Sequence, residues 1–150
     1  MSSPADKLDR VFNPKVIAVV GAKKINDYTW LRAHGPFQQA EGRTGKVYHV
    51  NIDESEWPGA EELGFENVKS IQEIPEDIDY VCISVPNTVV PIILRDCAAK
   101  QVAGAHIFAA GFAEMHTEQG DQLEQAVYDI ATEAGIALVG PNCMGLYMPE

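Results

Sequence analysis

The chain contains five short runs of apolar residues, and segments with a helical pattern separate them. This alternation restricts the fold more than any other feature does. A continuous apolar run rich in β-branched residues is typical of a strand buried on both faces. Strands that alternate with helices form right-handed βαβ units and a parallel sheet. The sequence therefore predicts an α/β fold with a mainly parallel five-stranded sheet and helices on both faces, its strands at 16–20, 46–50, 80–85, 105–109 and 136–139.

The helical segments complete a Rossmann-like arrangement. Residues 1–13 form a predicted N-terminal helical arm, which Asn13-Pro14 ends. Gly35-Pro36 predicts a break in the helix that follows the first strand. Asn87 or Thr88 is the predicted cap of the helix that follows the third strand. The predicted helices are 4–12, 28–39, 88–100 and 117–133, whereas the acidic segment 52–67 is predicted to be irregular.

Length and composition restrict the class of protein. A length of 150 residues indicates a single domain over 1–150. The chain has no run of 18 apolar residues and no apolar signal core, so neither a membrane span nor a secretion signal is expected. The odd number of three cysteines, which lack metal-ligand spacing, favours a reduced, cytoplasmic location.

The net charge of −11 is distributed unevenly along the chain. Residues 1–50 hold eight Lys/Arg and four Asp/Glu, whereas residues 51–150 hold three and eighteen, so the two parts carry +4 and −15. Nucleic-acid binding requires a basic face, and the acidic bulk argues against it. An anionic ligand is compatible with the basic first third, although charges that only keep the fold soluble explain the same composition.

Small residues follow several of the predicted strands. The segments are VVGA at 19–22, AGFAE at 110–114 and GPNCMG at 140–145. Ligands of open α/β sheets bind outside the carboxyl ends of the strands, and residues without large side chains let a ligand approach the backbone. These loops therefore predict a nucleotide-type ligand site, with Lys23 and Lys24 adding positive charge for a phosphate. An ordinary βα loop is the alternative, since the dinucleotide fingerprint G-x-G-x-x-G is absent.

Five motifs in a fixed order resemble one family. FNPK at 12–15, VVGA, SVPN at 84–87, AGFAE and GPNCMG are similar to the CoA-binding domain of NDP-forming acyl-CoA synthetases. These ligases, which include ADP-forming acetate–CoA ligases, are relatives of the succinyl-CoA synthetase α subunit. The resemblance runs from about Leu8 to Gly145. It implies coenzyme A as the ligand and other domains or subunits of such a synthetase as partners. An assembly of identical copies is left open.

The resemblance also implies which residues contact CoA. After the second strand the family places a proline and a lysine that can meet a phosphate. Here Asn51 is followed by Ile52, Asp53 and Glu54, so the proline is missing and a carboxylate falls near the expected lysine. The predicted CoA-binding residues are Gly21, Ala22, Lys23, Lys24, Ile25, Asn26, Asn51, Val85, Pro86, Asn87, Ala109, Ala110, Gly111 and Asn142.

No catalytic residue and no metal site are predicted in this chain. The resembled enzymes pass phosphate through a histidine of their following domain, and none of His34, His49, His106 and His116 matches it. Cys143 has no histidine or acid paired with it by motif, so a nucleophilic role lacks support. The chain is therefore expected to supply the CoA platform without the phosphohistidine. Because it stops where those enzymes continue, we expect it to be the N-terminal part of a longer protein.

Two other functions are compatible with the sequence. An NAD(P)-binding domain of an oxidoreductase is favoured by the general fold and by Asp53, an acid that could hold ribose hydroxyls. However, Asp53 lies farther after Gly21 than the ~20 residues of the dinucleotide fingerprint. A ligand-free module for subunit contacts is favoured by the altered first loop and by the missing proline and lysine.

Overall fold

A single parallel sheet forms the centre of the protein in the computed structural model, which describes residues 3–39 and 45–146. Within these residues it has six strands in the order β3-β2-β1-β4-β5-β6. Because the chain adds β2 and β3 on one side of β1 and then returns to add β4 on the other, the strand order reverses between β1 and β4. The predicted Rossmann-like fold is confirmed. The strands are β1 (Val16–Val20), β2 (Lys46–Val50), β3 (Glu66–Val68), β4 (Tyr80–Ile83), β5 (Gly104–Ile107) and β6 (Ala137–Val139).

Strand β3 is the strand that the sequence does not predict. It lies at the edge of the sheet and pairs in parallel with β2, with Tyr48 opposite Glu66. Of its three residues only Val68 is buried. An edge strand this short contains no apolar run, and the acidic residues around it led to the prediction of an irregular segment. The prediction that 52–67 is irregular is therefore wrong over β3 and over the helix Trp57–Glu62.

The helices that the sequence predicts occur in the predicted order. Gly35-Pro36 divides the second predicted helix into α2 and α3, as expected. The N-cap residue of α5 is Val89, and its side chain makes no capping hydrogen bond. The prediction of Asn87 or Thr88 as the cap is therefore wrong. No helix within 3–39 or 45–146 is long and apolar enough to cross a membrane. The helices are α1 (Pro4–Phe12), α2 (Thr29–His34), α3 (Pro36–Gln39), α4 (Trp57–Glu62), α5 (Val90–Ala99) and α6 (Glu118–Ala134).

Apolar side chains cover both faces of the sheet. Along β1, Ala18 and Val20 belong to one core together with residues of α5 and α6, such as Leu94 and Val127. Ile17 and Val19 belong to the opposite core, together with residues of α1 and α2. All five residues of β1 are buried, as expected for a central parallel strand. Its amino-acid run is therefore apolar throughout rather than alternating.

Asp79 fixes α1 to the amino edge of the sheet. Its carboxylate accepts hydrogen bonds from Arg10 Nε at 2.6 Å and from the backbone amides of Lys15 and Val16 at 2.8 and 3.1 Å. Arg10 also donates to the carbonyl oxygen of Ile78 at 3.1 Å. These bonds occupy the amino edge with structural contacts, and the loops of interest lie at the opposite, carboxyl edge. The tail residues 147–150 lie outside the described residues.

Candidate functional site

Loops that follow β1, β2, β4, β5 and β6 meet at the carboxyl edge of the sheet. Side chains and backbone groups of the predicted residues join them in pairs, so the predicted residues come from loops that are neighbours in space. The contacts are Asn51 Nδ2 to the Ala22 carbonyl oxygen at 3.0 Å, Asn87 Nδ2 to the Gly111 carbonyl oxygen at 2.8 Å and the Asn142 amide to the Ala109 carbonyl oxygen at 3.0 Å.

Gly21 joins the loop after β1 to the loop after β4. Its φ of +86° lies in the left-handed region, and a Cβ atom there would lie 2.3 Å from the carbonyl oxygen of Ser84 and 2.7 Å from Cγ1 of Val85. Only glycine allows this approach. The contact lies where the strand order reverses, which is the position at which open α/β sheets bind their ligands.

The predicted phosphate loop is exposed over most of its length. Lys23, Lys24, Ile25 and Asn26 are exposed, and Lys24–Asn26 forms a 3-10 turn. Ala22, by contrast, is only 1% exposed. Its carbonyl oxygen accepts the bonds from Asn51 and His49, so Ala22 holds the loop in place while the residues after it face solvent.

A carboxylate from the chain itself occupies one amide of this loop. Glu56 Oε2 accepts a hydrogen bond from the Lys24 backbone amide at 2.8 Å and from the Tyr28 hydroxyl at 3.1 Å. Burial, and next the bond to Glu56, raise the pKa of Tyr28. The loop thus binds an anion in this structure, and that anion is Glu56. Glu56 was not predicted, because no sequence motif marks a contact between positions 24 and 56.

The residues after β2 form a hydrogen-bonded turn. Asn51 is buried, and its Oδ1 accepts from the Asp53 amide at 3.0 Å. Asp53 Oδ1 accepts from the Ser55 amide at 3.1 Å and from the Ser55 hydroxyl at 2.6 Å. These bonds from Ser55 lower the pKa of Asp53, and the charge of Lys23 lowers it further to a smaller degree. Asp53 therefore has internal partners where a dinucleotide enzyme would offer a carboxylate to the ribose.

A lysine lies close to the residues that follow β2, but it comes from the end of a different strand. Lys69 follows directly after β3, and its Nζ lies 2.5 Å from Oε1 of Glu54. Glu54 raises the pKa of Lys69. Lys69 was not predicted to lie at this edge, because β3 was not predicted. The single buried valine of β3, Val68, is the sequence feature from which the strand, and therefore the position of Lys69, could have been predicted.

The loops after β4 and β5 offer uncharged groups among the predicted residues. Pro86 and Ala110 are exposed, and Val85, Asn87 and Ala109 are partly exposed. The Asn87 side chain crosses from one loop to the other through its bond to Gly111. This part of the edge presents uncharged residues rather than lysines.

Glu114 closes the loop that contains Gly111. Its carboxylate accepts from the Gly111 amide at 2.6 Å and from the Phe112 amide at 3.1 Å. The bond from Gly111 is the largest cause of a lowered pKa at Glu114. Gly111 itself has a φ of +98°, and a Cβ atom there would lie 2.4 Å from Nδ2 of Asn87. The AGFAE motif is therefore a turn that needs its glycine and its glutamate.

The loop after β6 carries Asn142 at an exposed position with a φ of +52°. The next residue, Cys143, is fixed by its backbone, because His106 Nε2 lies 2.5 Å from the Cys143 carbonyl oxygen. A carbonyl oxygen only accepts, so Nε2 carries the proton. His106 thus contacts the backbone of Cys143 and orients the loop on which Asn142 lies.

The four histidines differ in how far they are buried. His49 and His106 are fully buried, and His116 is exposed. Burial lowers the pKa of both His34 and His106. In the described part of the chain, His106 Nδ1 is a buried side-chain atom without a hydrogen-bond partner. Residues 3–39 and 45–146 contain no group of three or more His, Cys, Asp or Glu side chains placed to hold a metal ion.

Comparisons with known proteins identify the family. Residues 15–149 match the family described as the CoA binding domain. The alpha subunit of acetate–CoA ligase (ADP-forming) II from Pyrococcus furiosus is 39% identical over 139 residues, which are 93% of this chain and 29% of that protein. Acetate–CoA ligase (ADP-forming) I from Archaeoglobus fulgidus is 36% identical over 143 residues, which are 95% of this chain and 20% of that protein.

A solved structure agrees with this match. The dinucleotide forming acetyl-coenzyme A synthetase 1 of Ca. Korarchaeum cryptofilum, in complex with phosphate and ADP, superposes with a TM-score of 0.75 at 31% identity. The match covers 93% of this chain and 28% of that one. The chain thus spans less than a third of the length of these relatives. The resemblance predicted from the motifs is confirmed, and the chain belongs to the CoA binding domain family, with relatives among the ADP-forming acyl-CoA synthetases.

Proposed function

We propose that this protein binds coenzyme A at the carboxyl edge of its sheet. One observation carries the proposal: in a chain of the CoA binding domain family, the loops that hold the predicted residues are joined around the reversal of strand order, where Gly21 lies against Ser84. The exposed lysines Lys23 and Lys24 suit the pyrophosphate of CoA. The loops after β1 and β2 therefore take the nucleotide part of the ligand.

The pantetheine arm of CoA lies, in this proposal, along the uncharged half of the edge. It passes Val85–Asn87 and Ala109–Gly111, which are uncharged and are exposed or partly exposed. The thiol end lies near Asn142. This assignment uses the predicted residues in the order in which their strands lie in the sheet, from β1 through β4 and β5 to β6.

In a longer parent protein, the domain would serve as the CoA platform of an ADP-forming acyl-CoA synthetase. Other domains or subunits would supply the nucleotide site and the phosphate-accepting histidine. Within this chain His49 and His106 are buried, and both have structural contacts, which argues against phosphorylation here. The three cysteines are free, in keeping with the reducing cytoplasm as its location.

Titration calorimetry with CoA, NAD and NADP tests the proposal. Because carboxylates stand among the lysines, we expect CoA to bind with a Kd of roughly 10 µM to 1 mM, or about −4 to −7 kcal/mol. NAD and NADP are expected to bind more weakly, since Asp53 is engaged by Ser55. Tighter binding of NAD than of CoA would contradict the proposal and favour an oxidoreductase domain.

Incubation with γ-labelled ATP tests the division of roles. The chain is expected to form no phosphoenzyme and to show no ligase turnover. Stoichiometric, alkali-stable label on His34, His49, His106 or His116 would show instead that the chain carries out phosphotransfer itself.

A further inference from the structure

A lysine and a glutamate form an exposed ion pair between the carboxyl ends of β2 and β3. Lys69 follows β3 directly, and Glu54 lies in the 3-10 turn Glu54–Glu56 after β2. Lys69 Nζ and Glu54 Oε1 are 2.5 Å apart, and the two side chains are 54% and 58% exposed. A ligand at this edge can therefore reach the Lys69 ammonium group, provided that it competes with Glu54.

The surroundings of this pair are acidic. Glu73 Oε2 accepts the backbone amide of Lys69 at 3.0 Å, and its charge acts on the Lys69 ammonium group. Asp53 precedes Glu54 directly and is exposed, and Glu56 ends the same turn. Lys69 is thus neutralised by Glu54 and flanked by further carboxylates, so this part of the edge has no excess of positive charge to offer.

The position of the pair corresponds to one part of the ligand. When a nucleotide lies with its pyrophosphate over the loop after the first strand, its adenosine ribose lies beside the residues that follow the second strand. In CoA that ribose carries a 3′-phosphate, and in 3′-dephospho-CoA it carries a hydroxyl group. A phosphate must displace Glu54 from Lys69 and approach carboxylates, whereas a hydroxyl group can donate to a carboxylate.

Given the proposed function, on which this step rests, we propose that Glu54 masks Lys69 and removes the preference of the site for a 3′-phosphate. The protein then accepts CoA and 3′-dephospho-CoA about equally. Glu54 and Lys69 are the residues that set specificity at the adenosine end. Neither belongs to the motifs that identify the family.

The first test compares the two ligands on the wild-type chain by titration calorimetry at about 50 mM salt, where exposed charges are weakly screened. The expected affinities for CoA and 3′-dephospho-CoA differ by less than about fivefold, the range that one exposed ion pair accounts for. A preference for CoA above fivefold overturns the inference and leaves the proposed function intact. If neither ligand binds, the proposed function fails and the inference fails with it.

The second test removes the mask. Glu54→Gln keeps the shape of the side chain and frees Lys69, so CoA is expected to bind about three- to fivefold more tightly while 3′-dephospho-CoA gains no affinity. The double variant E54Q/K69Q is expected to lose this gain. Equal gains for both ligands, or a gain that survives in E54Q/K69Q, would show that Lys69 does not read the 3′-phosphate.

A matched control separates this local effect from a change in net charge. Glu133→Gln removes the same charge from an exposed position at the end of α6. Since β6 begins shortly afterwards at Ala137, Glu133 lies near the opposite, amino edge of the sheet. The ratio of the two affinities is expected to stay at the wild-type value in E133Q. A shift equal to that of E54Q would assign the effect to net charge and overturn the inference.

Discussion

The two halves of the carboxyl edge are built from different chemistry. Beside β1, β2 and β3, carboxylates of the chain itself bind the groups that could bind an anion: Glu56 accepts a hydrogen bond from the Lys24 amide, and Glu54 pairs with Lys69. Beside β4, β5 and β6, the predicted site residues are uncharged, and the loops are joined by bonds such as Asn87 to Gly111. One half therefore responds to charge and salt, and the other responds to shape and backbone geometry.

This division matches a ligand with two different ends. CoA has a polyanionic nucleotide and a long uncharged arm, and each half of the edge suits one of them. The comparison also shows how a charged half can lose affinity without losing its fold. Because its lysines have carboxylate neighbours, a ligand phosphate must compete for them, whereas the uncharged half imposes no such competition.

The largest expected effect comes from breaking the junction between the halves. Gly21→Ala would place a Cβ atom 2.3 Å from the Ser84 carbonyl oxygen in a backbone with φ of +86°. We expect a loss of about 3 kcal/mol in the free energy of unfolding, from strain and steric overlap together. Urea unfolding followed by circular dichroism measures it.

A second glycine provides the control for this effect. Gly64 has nearly the same φ, +87°, but no described atom lies within 4 Å of its Cβ position. Gly64→Ala therefore carries the backbone strain alone, about 1 kcal/mol. Equal losses in the two variants would show that the approach of Gly21 to Ser84 does not hold the halves together.

Charge reversal in the first loop should separate the halves by their response to salt. Replacing both Lys23 and Lys24 by Glu is expected to weaken CoA binding about tenfold at low salt, from two exposed charge contacts. The effect should shrink at about 0.3 M salt, because screening acts on exposed charges. Calorimetry at two salt concentrations measures both. Lys15→Glu, a single reversal of the same kind at the amino edge, is the control. Unchanged CoA affinity in the double variant would remove these lysines from the site.

The uncharged half should behave in the opposite way. Asn87→Ala removes the bond to the Gly111 carbonyl oxygen, and we expect CoA to bind about threefold more weakly. Because no charge is lost, the ratio of variant to wild-type affinity should be the same at low and high salt. A strong salt dependence of this ratio would contradict the assignment of the uncharged arm to these loops.

Most strands of the sheet could be predicted because a strand that is buried on both faces consists of consecutive apolar residues. The central strand β1 reads as an apolar run since both of its faces are covered. Edge strand β3 has no such apolar run, because only Val68 is buried. The break at Gly35-Pro36 could be predicted for a different reason: proline has a fixed backbone φ and no amide hydrogen, so it interrupts a helix.

The site could be predicted in part. Loops with glycine and asparagine after the strands were identified, because a close approach of backbone to ligand needs small residues. The sequence did not show that Ala22 and Asn51 are buried and hold the loops from inside. Nor did it show that Glu56 bonds Lys24 or that Glu54 meets Lys69, since the first contact depends on how β1 and β2 align and the second on how β2 and β3 align.

The smallest expected effect is a change in how the thermal midpoint depends on pH, and it can be measured in each half of the edge. Amide hydrogen bonds, that of Gly111 first, lower the pKa of Glu114 in the uncharged half below its ordinary value of 4.5. A carboxyl group whose pKa is lowered by folding adds stability above its unfolded pKa and loses that contribution as the pH falls through the folded value. Glu114→Gln removes this titration, so its thermal midpoint should fall less than that of the wild type between about pH 5 and pH 3.

Asp53→Asn makes the same comparison in the charged half, where bonds from Ser55 lower the pKa of Asp53. Both variants should flatten the loss of stability in acid, because each removes a carboxyl group that the folded state keeps ionised. Glu133→Gln, at the exposed end of α6, gives the change that results from losing one carboxylate elsewhere. Since a tight turn around Gly111 depends on Glu114 for two amide partners, E114Q should also have a lower midpoint than E133Q at pH 7. A wild-type pH profile in E114Q would mean that the Gly111 turn keeps its geometry without the charge of Glu114, and the two halves would then differ only in their response to ligand.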